Sequence, residues 1–179
     1  QFKRINFHII FSNDIRPEVI ETQFINALTT SYHLDPESGQ KTWDGFLTKE
    51  NLKRLGENII NSVPEDQKSR FGSPMKEGFN NLNLELDAIY TTLEKASSFF
   101  KGKYITAIGK TEWDELKWDD SSIAEKKSII NRADLIFTAA ESVEKFNSAK
   151  QKLKDNGVKD LLLDCSDAHN NICSSTKDR

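Results

Sequence analysis

Apolar and polar residues alternate from Arg4 to Phe11, with Phe7, Ile9 and Phe11 on one side and Asn6, His8 and Ile10 on the other. This is the period of a half-buried strand, and it turns His8 toward the more polar side. The spacing then lengthens. Pro17 suits the first turn of a helix, and Ile20, Phe24 and Leu28 recur every four residues to give it an apolar stripe. Asp35-Pro36 and Ser38-Gly39 mark a loop over 33–47. A second helix follows, capped by Thr48, carrying Leu52, Leu55 and Ile59 and stopped by Pro64. The stretch 64–81 is polar and rich in Gly, Pro and Ser, the composition of a long connection. A third helix is predicted from Asn83, with Leu86, Ile89, Leu93 and Ala96 on its buried side.

The last third has a regular rhythm: strand Lys103 to Ile108, helix from Ser122, strand Leu135 to Thr138, helix from Ser142, strand Val158 to Cys165. Ser122 and Glu125 have capping-box spacing, and Gly157 is placed to stop the helix that carries Val143, Phe146, Ala149 and Leu153. Strands alternating with helices imply an α/β fold with parallel strands and right-handed crossovers, which bring the strand carboxyl ends to one edge. Ligand sites gather at that edge.

Composition adds limits. The 179 residues are 36% apolar and 30% charged, enough for a real core and unlike a disordered chain. No run of about 18 apolar residues or basic-then-apolar leader is present, so a cytoplasmic, non-membrane protein is expected. Cys165 and Cys173 lack the spacing of a zinc ribbon or a disulfide framework, and are expected as reduced thiols. Net charge is −3, from 25 basic and 28 acidic residues, so no nucleic-acid partner is demanded. Lys101, Lys103, Lys110, Lys126 and Lys127 are read as solvated helix and loop lysines before they are read as a basic patch.

The chemistry-bearing segment is Asp160 to His169, an apolar run that ends in a carboxylate and an imidazole two positions apart. In extended backbone Asp167 and His169 point the same way, and both are ligand types for a divalent cation. On general grounds an Asp-x-His at a strand end is more often a turn carboxylate beside a chance histidine. Trp43, Trp113 and Trp118 are read as roofing a core before they are read as base-stacking platforms. Gly109-Lys110-Thr111 is not a P-loop, because the earlier glycine of that motif would fall at Tyr104. Cys165 has no histidine to activate it other than a metal-ligand candidate, so thiol catalysis is not expected. His33, beside Asp35-Pro36, is assigned to the surface.

Ser166-Asp167-Ala168-His169 resembles the last metal-binding motif of the PHP (polymerase and histidinol phosphatase) superfamily of phosphoesterases. Phe7 to Ser12, Phe100 to Tyr104, Gly109 to Trp113, Ile123 to Ile130 and Leu162 to His169 follow, in order, the pattern of PHP domains fused to large AAA-like ATPases. The resemblance implies a distorted β/α barrel with mostly parallel strands, residues 1–179 forming a single domain fragment from its later part. The His-x-His strand that opens such domains does not precede Gln1, and the chain is therefore expected to be an excised piece. The resemblance further implies that His8, Asp167 and His169 are ligands of a multinuclear divalent metal site (Mn, Zn, Fe or Mg) that hydrolyses a phosphoester, including one in nucleic acid.

Where many PHP enzymes carry another histidine near a strand end, this chain has Gly109-Lys110-Thr111-Glu112-Trp113. Lys110 and Glu112 are the candidates for phosphate or metal contact there, against an outward ion pair in a structural turn. The ATPase portion of the parent chain is the expected partner, and unpaired barrel strands would favour a homo-oligomer. The rival reading is a catalytically decayed PHP-like interaction or sensing module beside the ATPase. A third is an ordinary α/β domain, in which His8 would not cluster with Asp167 and His169.

Overall fold

The computed structural model describes residues 5–29, 45–82, 84–109, 113, 118, 123–140 and 142–165. In chain order the elements are strand β1 (Phe7–Phe11), helix α1 (Pro17–Gln23), a 3-10 turn (Ile25–Ala27) and helices α2 (Lys49–Asn61), α3 (Glu65–Lys68), α4 (Pro74–Asn81), α5 (Leu86–Lys95) and α6 (Ser97–Phe100). Strand β2 (Tyr104–Ile108), helix α7 (Ile123–Arg132), strand β3 (Leu135–Thr138), helix α8 (Val143–Asp155) and strand β4 (Leu162–Asp164) complete them. They fall into two compact units, one containing Gln1–Ser12 with Tyr104–Arg179 and the other Asn13–Lys103.

The first unit is α/β, with a four-stranded mixed sheet in the order β1-β2-β3-β4. β2, β3 and β4 are parallel, as the β-α-β-α-β rhythm requires. β1 is antiparallel to β2, pairing Phe7 with Ile108 and Phe11 with Tyr104. Ile130 of α7 and Leu153 of α8 join Ile108, Ile136, Trp113, Ala133 and Val158 in one buried cluster, flanked by Phe7, Ala149 and Leu162. Both crossover helices therefore cover the same face of the sheet. Between the two central strands the Asp134 carboxylate accepts bonds from the Thr106 N–H and hydroxyl, both 2.8 Å, and fastens the start of β3 to β2.

Local chemistry explains the boundaries. The Ser142 hydroxyl accepts from the Lys145 N–H at 3.2 Å, the expected cap of α8. At its other end Gly157 has φ of +66°, while the Val158 N–H reaches the Leu153 carbonyl at 3.2 Å. This is the left-handed glycine stop read from the sequence. Val158 is spent on that closure, so β4 is shorter than the predicted Val158 to Cys165. The Ser122 cap falls outside the described residues.

The second unit is helical, with Phe24, Leu28, Leu52, Leu55, Ile89, Leu93, Ala96 and Phe100 buried. Thr48 caps α2, its hydroxyl accepting from the Asn51 N–H at 3.1 Å. The stretch 64–81 is not a plain connection: it holds α3 and α4. Ser73 is the N-cap of α4, Pro74 occupies its first turn, and Glu77 reaches back to accept the Gly72 N–H at 2.8 Å. The residues that looked like a loop are start signals. The following helix begins at Leu86 rather than Asn83, with Glu85 as its N-cap. Among the described residues no helix is long and apolar enough to cross a membrane.

Candidate functional site at the carboxyl edge of the sheet

β1 alternates half-buried Phe7, Ile9 and Phe11 with exposed His8 and Ile10. Because β1 runs against β2, its start lies beside the end of β2, so His8, opposite Ala107, sits toward the edge where the parallel strands end. The Gly109 N–H donates to the Asn6 carbonyl at 3.1 Å and ties the two ends together. The His8 ring leans on Phe137, with centroids 5.1 Å apart and planes inclined by 56°. A Cβ at Gly109 would lie 3.5 Å from His8 Nε2 and 3.4 Å from Asn6 Cβ, so the Gly109 backbone approaches the imidazole to van der Waals contact.

Phe137 is itself held from below. Trp113, only 1% exposed, donates its indole N–H to the Phe137 carbonyl at 2.8 Å, and the Lys152 ammonium lies 5.8 Å from the indole ring centre. Trp113 is thus a core roof with no face left for a nucleotide base. Trp118 also packs against the core.

Register assigns the faces. His8 pairs with Ala107 and Ala107 with Leu135, while Phe137 pairs with Leu163; these residues and the Ile10–Ile105 pair share one side of the sheet. The side expected to be more polar is therefore apolar around an exposed histidine. The single polar residue His8 in β1 suggested a polar face, but Ile105, Ala107, Leu135, Phe137 and Leu163 of the neighbouring strands make that face apolar.

The Cys165 N–H donates to the Thr138 carbonyl at 2.7 Å, prolonging the β3–β4 ladder past β4, and Asp164 Oδ1 accepts the Ala140 N–H at 2.8 Å. Burial, assisted by the neighbouring Asp164 charge, pushes the Cys165 thiol above its ordinary range. It is therefore protonated at neutral pH. Iodoacetamide labelling followed by peptide mass mapping is expected to modify Cys165 more slowly at pH 8 in the native chain than in guanidinium. Equal rates would contradict the shifted thiol.

Of the proposed metal and catalytic groups, His8 is described. Lys110, Glu112, Asp167 and His169 lie outside the described residues, as do His33, Trp43 and Cys173. Among the described residues no group of three or more His, Cys, Asp or Glu side chains is arranged to hold a metal ion. His8 alone supplies one imidazole, so a metal at this edge needs its other ligands from elsewhere. Two supports of His8 escaped the sequence reading: Phe137 and Gly109. Only the glycine at a strand end signalled a close approach. No protein-family model, curated protein or solved structure matches the chain.

Proposed function

We propose that the chain belongs to a PHP-type, metal-dependent phosphoesterase domain of a larger ATPase-linked protein, built as a distorted β/α barrel. The observation that carries this reading is the register of His8. It lies toward the carboxyl edge of three parallel strands, on the face shared by Leu163 of β4. Asp167 and His169 follow β4 in the sequence two positions apart, the spacing that supports reading them as a pair of ligands. The proposal makes His8, Asp167 and His169 metal ligands, with Lys110 and Glu112 contacting the phosphate or the metal. When bound, divalent ions would generate hydroxide from water near neutral pH and polarise the phosphoryl oxygens. Phe137 and Gly109 lie against the His8 imidazole and limit its positions.

A second reading, a decayed PHP-like interaction or sensing module, is favoured by one observation. Among the described residues, those placed against His8 are Phe137, Ala107 and Gly109, and none of these is a carboxylate.

Metal analysis with manganese added, combined with hydrolysis of bis(p-nitrophenyl) phosphate by the parent polypeptide, separates the two. Bound metal and turnover are expected. His8→Ala, Asp167→Ala and His169→Ala should each lose more than about 100-fold in activity, since changes one shell further out already cost about 10- to 100-fold. Parent protein that folds but holds no metal and cleaves neither this ester nor DNA or RNA would rule out the enzyme and leave the module.

A further inference from the structure

The helical unit contains a cleft of about 510 Å³, within the size range of small-ligand sites. One wall is a single face of α5 and α6: Ala88, Thr91, Thr92, Lys95, Ala96 and Phe99 recur at steps of three and four. Gln23, Ala27 and Thr29 also line the cleft, and Glu85 and Asp87 stand at the amino end of α5. Small side chains floor the middle. The Thr92 hydroxyl donates to the Ala88 carbonyl at 2.8 Å, which leaves its lone pairs to accept from a ligand.

Charge is separated along this cleft. Carboxylates stand at one end and an ammonium at the other, and neither the Glu85 nor the Lys95 side chain has a hydrogen bond or ion pair among the described residues. Helix rise puts Lys95 about 12 Å along the axis from Asp87 and about 15 Å from Glu85. An extended peptide advances about 3.3–3.6 Å per residue, so about four residues match the span. Phe99, 44% exposed and one turn beyond Lys95, offers a ring to an apolar side chain next to the anionic end.

We propose that this cleft binds a short, extended, zwitterionic peptide of about four residues, its amino group at Glu85 and Asp87 and its terminal carboxylate at Lys95. Its C-terminal side chain packs on Phe99. A free amino acid carries both charges too close together to reach both ends, and a polyamine would meet Lys95.

The test is an amide-resonance titration of the full chain with Ala-Ala-Ala-Phe, its N-acetylated form and its C-amidated form. The free peptide is expected to shift Ala88, Thr91, Thr92 and Phe99. Blocking either end should weaken binding about fivefold, the size of an exposed ion pair. Lys95→Gln should erase the difference between free acid and amide while leaving the effect of acetylation. Absence of shifts at the cleft, or equal binding of all three peptides, would overturn the proposal. The blocked peptides leave the protein untouched, so this outcome does not depend on a variant folding.

Discussion

Gly78→Ala lowers the stability of the helical unit by about 2–3 kcal/mol, whereas the same change inside an ordinary helix gains about 1 kcal/mol. The reversal comes from the crossing of α2 and α4. A Cβ at Gly78 would stand 2.0 Å from the Leu52 carbonyl oxygen and 2.9 Å from its carbon. The contact is reciprocal, since a Cβ at Gly56 would stand 1.8 Å from the Pro74 oxygen. The obstructing atoms are backbone, which cannot swing aside as a side chain does, so the helices must separate. Leu52 and Leu55, both buried, then lose packing. Hydrogen exchange at the amides of α2 and α4 should show the loss of protection in this unit. Gly72→Ala is the control, because its nearest obstruction is the flexible end of Lys76. It should cost less than about 1 kcal/mol. A Gly78→Ala chain as stable as the parent would refute the close crossing.

That crossing also explains what the sequence concealed. Ser73, Pro74 and Gly78 are turn formers by composition, yet here Ser73 caps, Pro74 opens the first turn and Gly78 admits another helix. Composition cannot separate a glycine that breaks a helix from one that lets helices touch. The difference lies in a partner far off in the sequence, Leu52. The α7-β3-α8 stretch was legible because its signals are local: strand Leu135–Thr138 matches its apolar run, and the Ser142 cap and Gly157 stop act within one turn. The direction of β1 was not, because pairing Phe7 with Ile108 depends on contacts across most of the chain.

The candidate site divides in the same way. Alternation alone separated His8 from Phe7 and Ile9, but its place toward the carboxyl edge depends on the antiparallel direction of β1. Its environment came from elsewhere: Phe137 is brought beneath the imidazole by parallel pairing, and Gly109 by the antiparallel start of β1. A polar face was expected because Asn6 and His8 alternate with apolar residues. The strands that complete that face contribute Ile105, Ala107 and Phe137 instead.

Trp113→Ala should cost the sheet unit about 3–5 kcal/mol, the range for deleting a buried aromatic side chain. Trp113 is the largest of the fully buried side chains among the described residues and belongs to the cluster that contains Ile108, Ile130, Ile136 and Leu153. Its removal opens a cavity between strands and helices and also leaves the Phe137 carbonyl without its donor. Trp113→Phe separates the two effects: it keeps most of the apolar volume but not the indole N–H, and should cost about 1–3 kcal/mol. Hydrogen exchange at the amides of β3 reads the loss locally, where a whole-chain melting curve would mix the two units. Because Phe137 is the residue on which His8 leans, Trp113→Phe should also shift the His8 ring resonances while the exposed Val143 at the start of α8 stays unchanged. If Trp113→Phe cost as much as Trp113→Ala, the hydrogen bond would dominate and the cavity would not. If His8 stayed unmoved while β3 lost protection, the core would end at Phe137 and the edge histidine would be supported by its own strand alone.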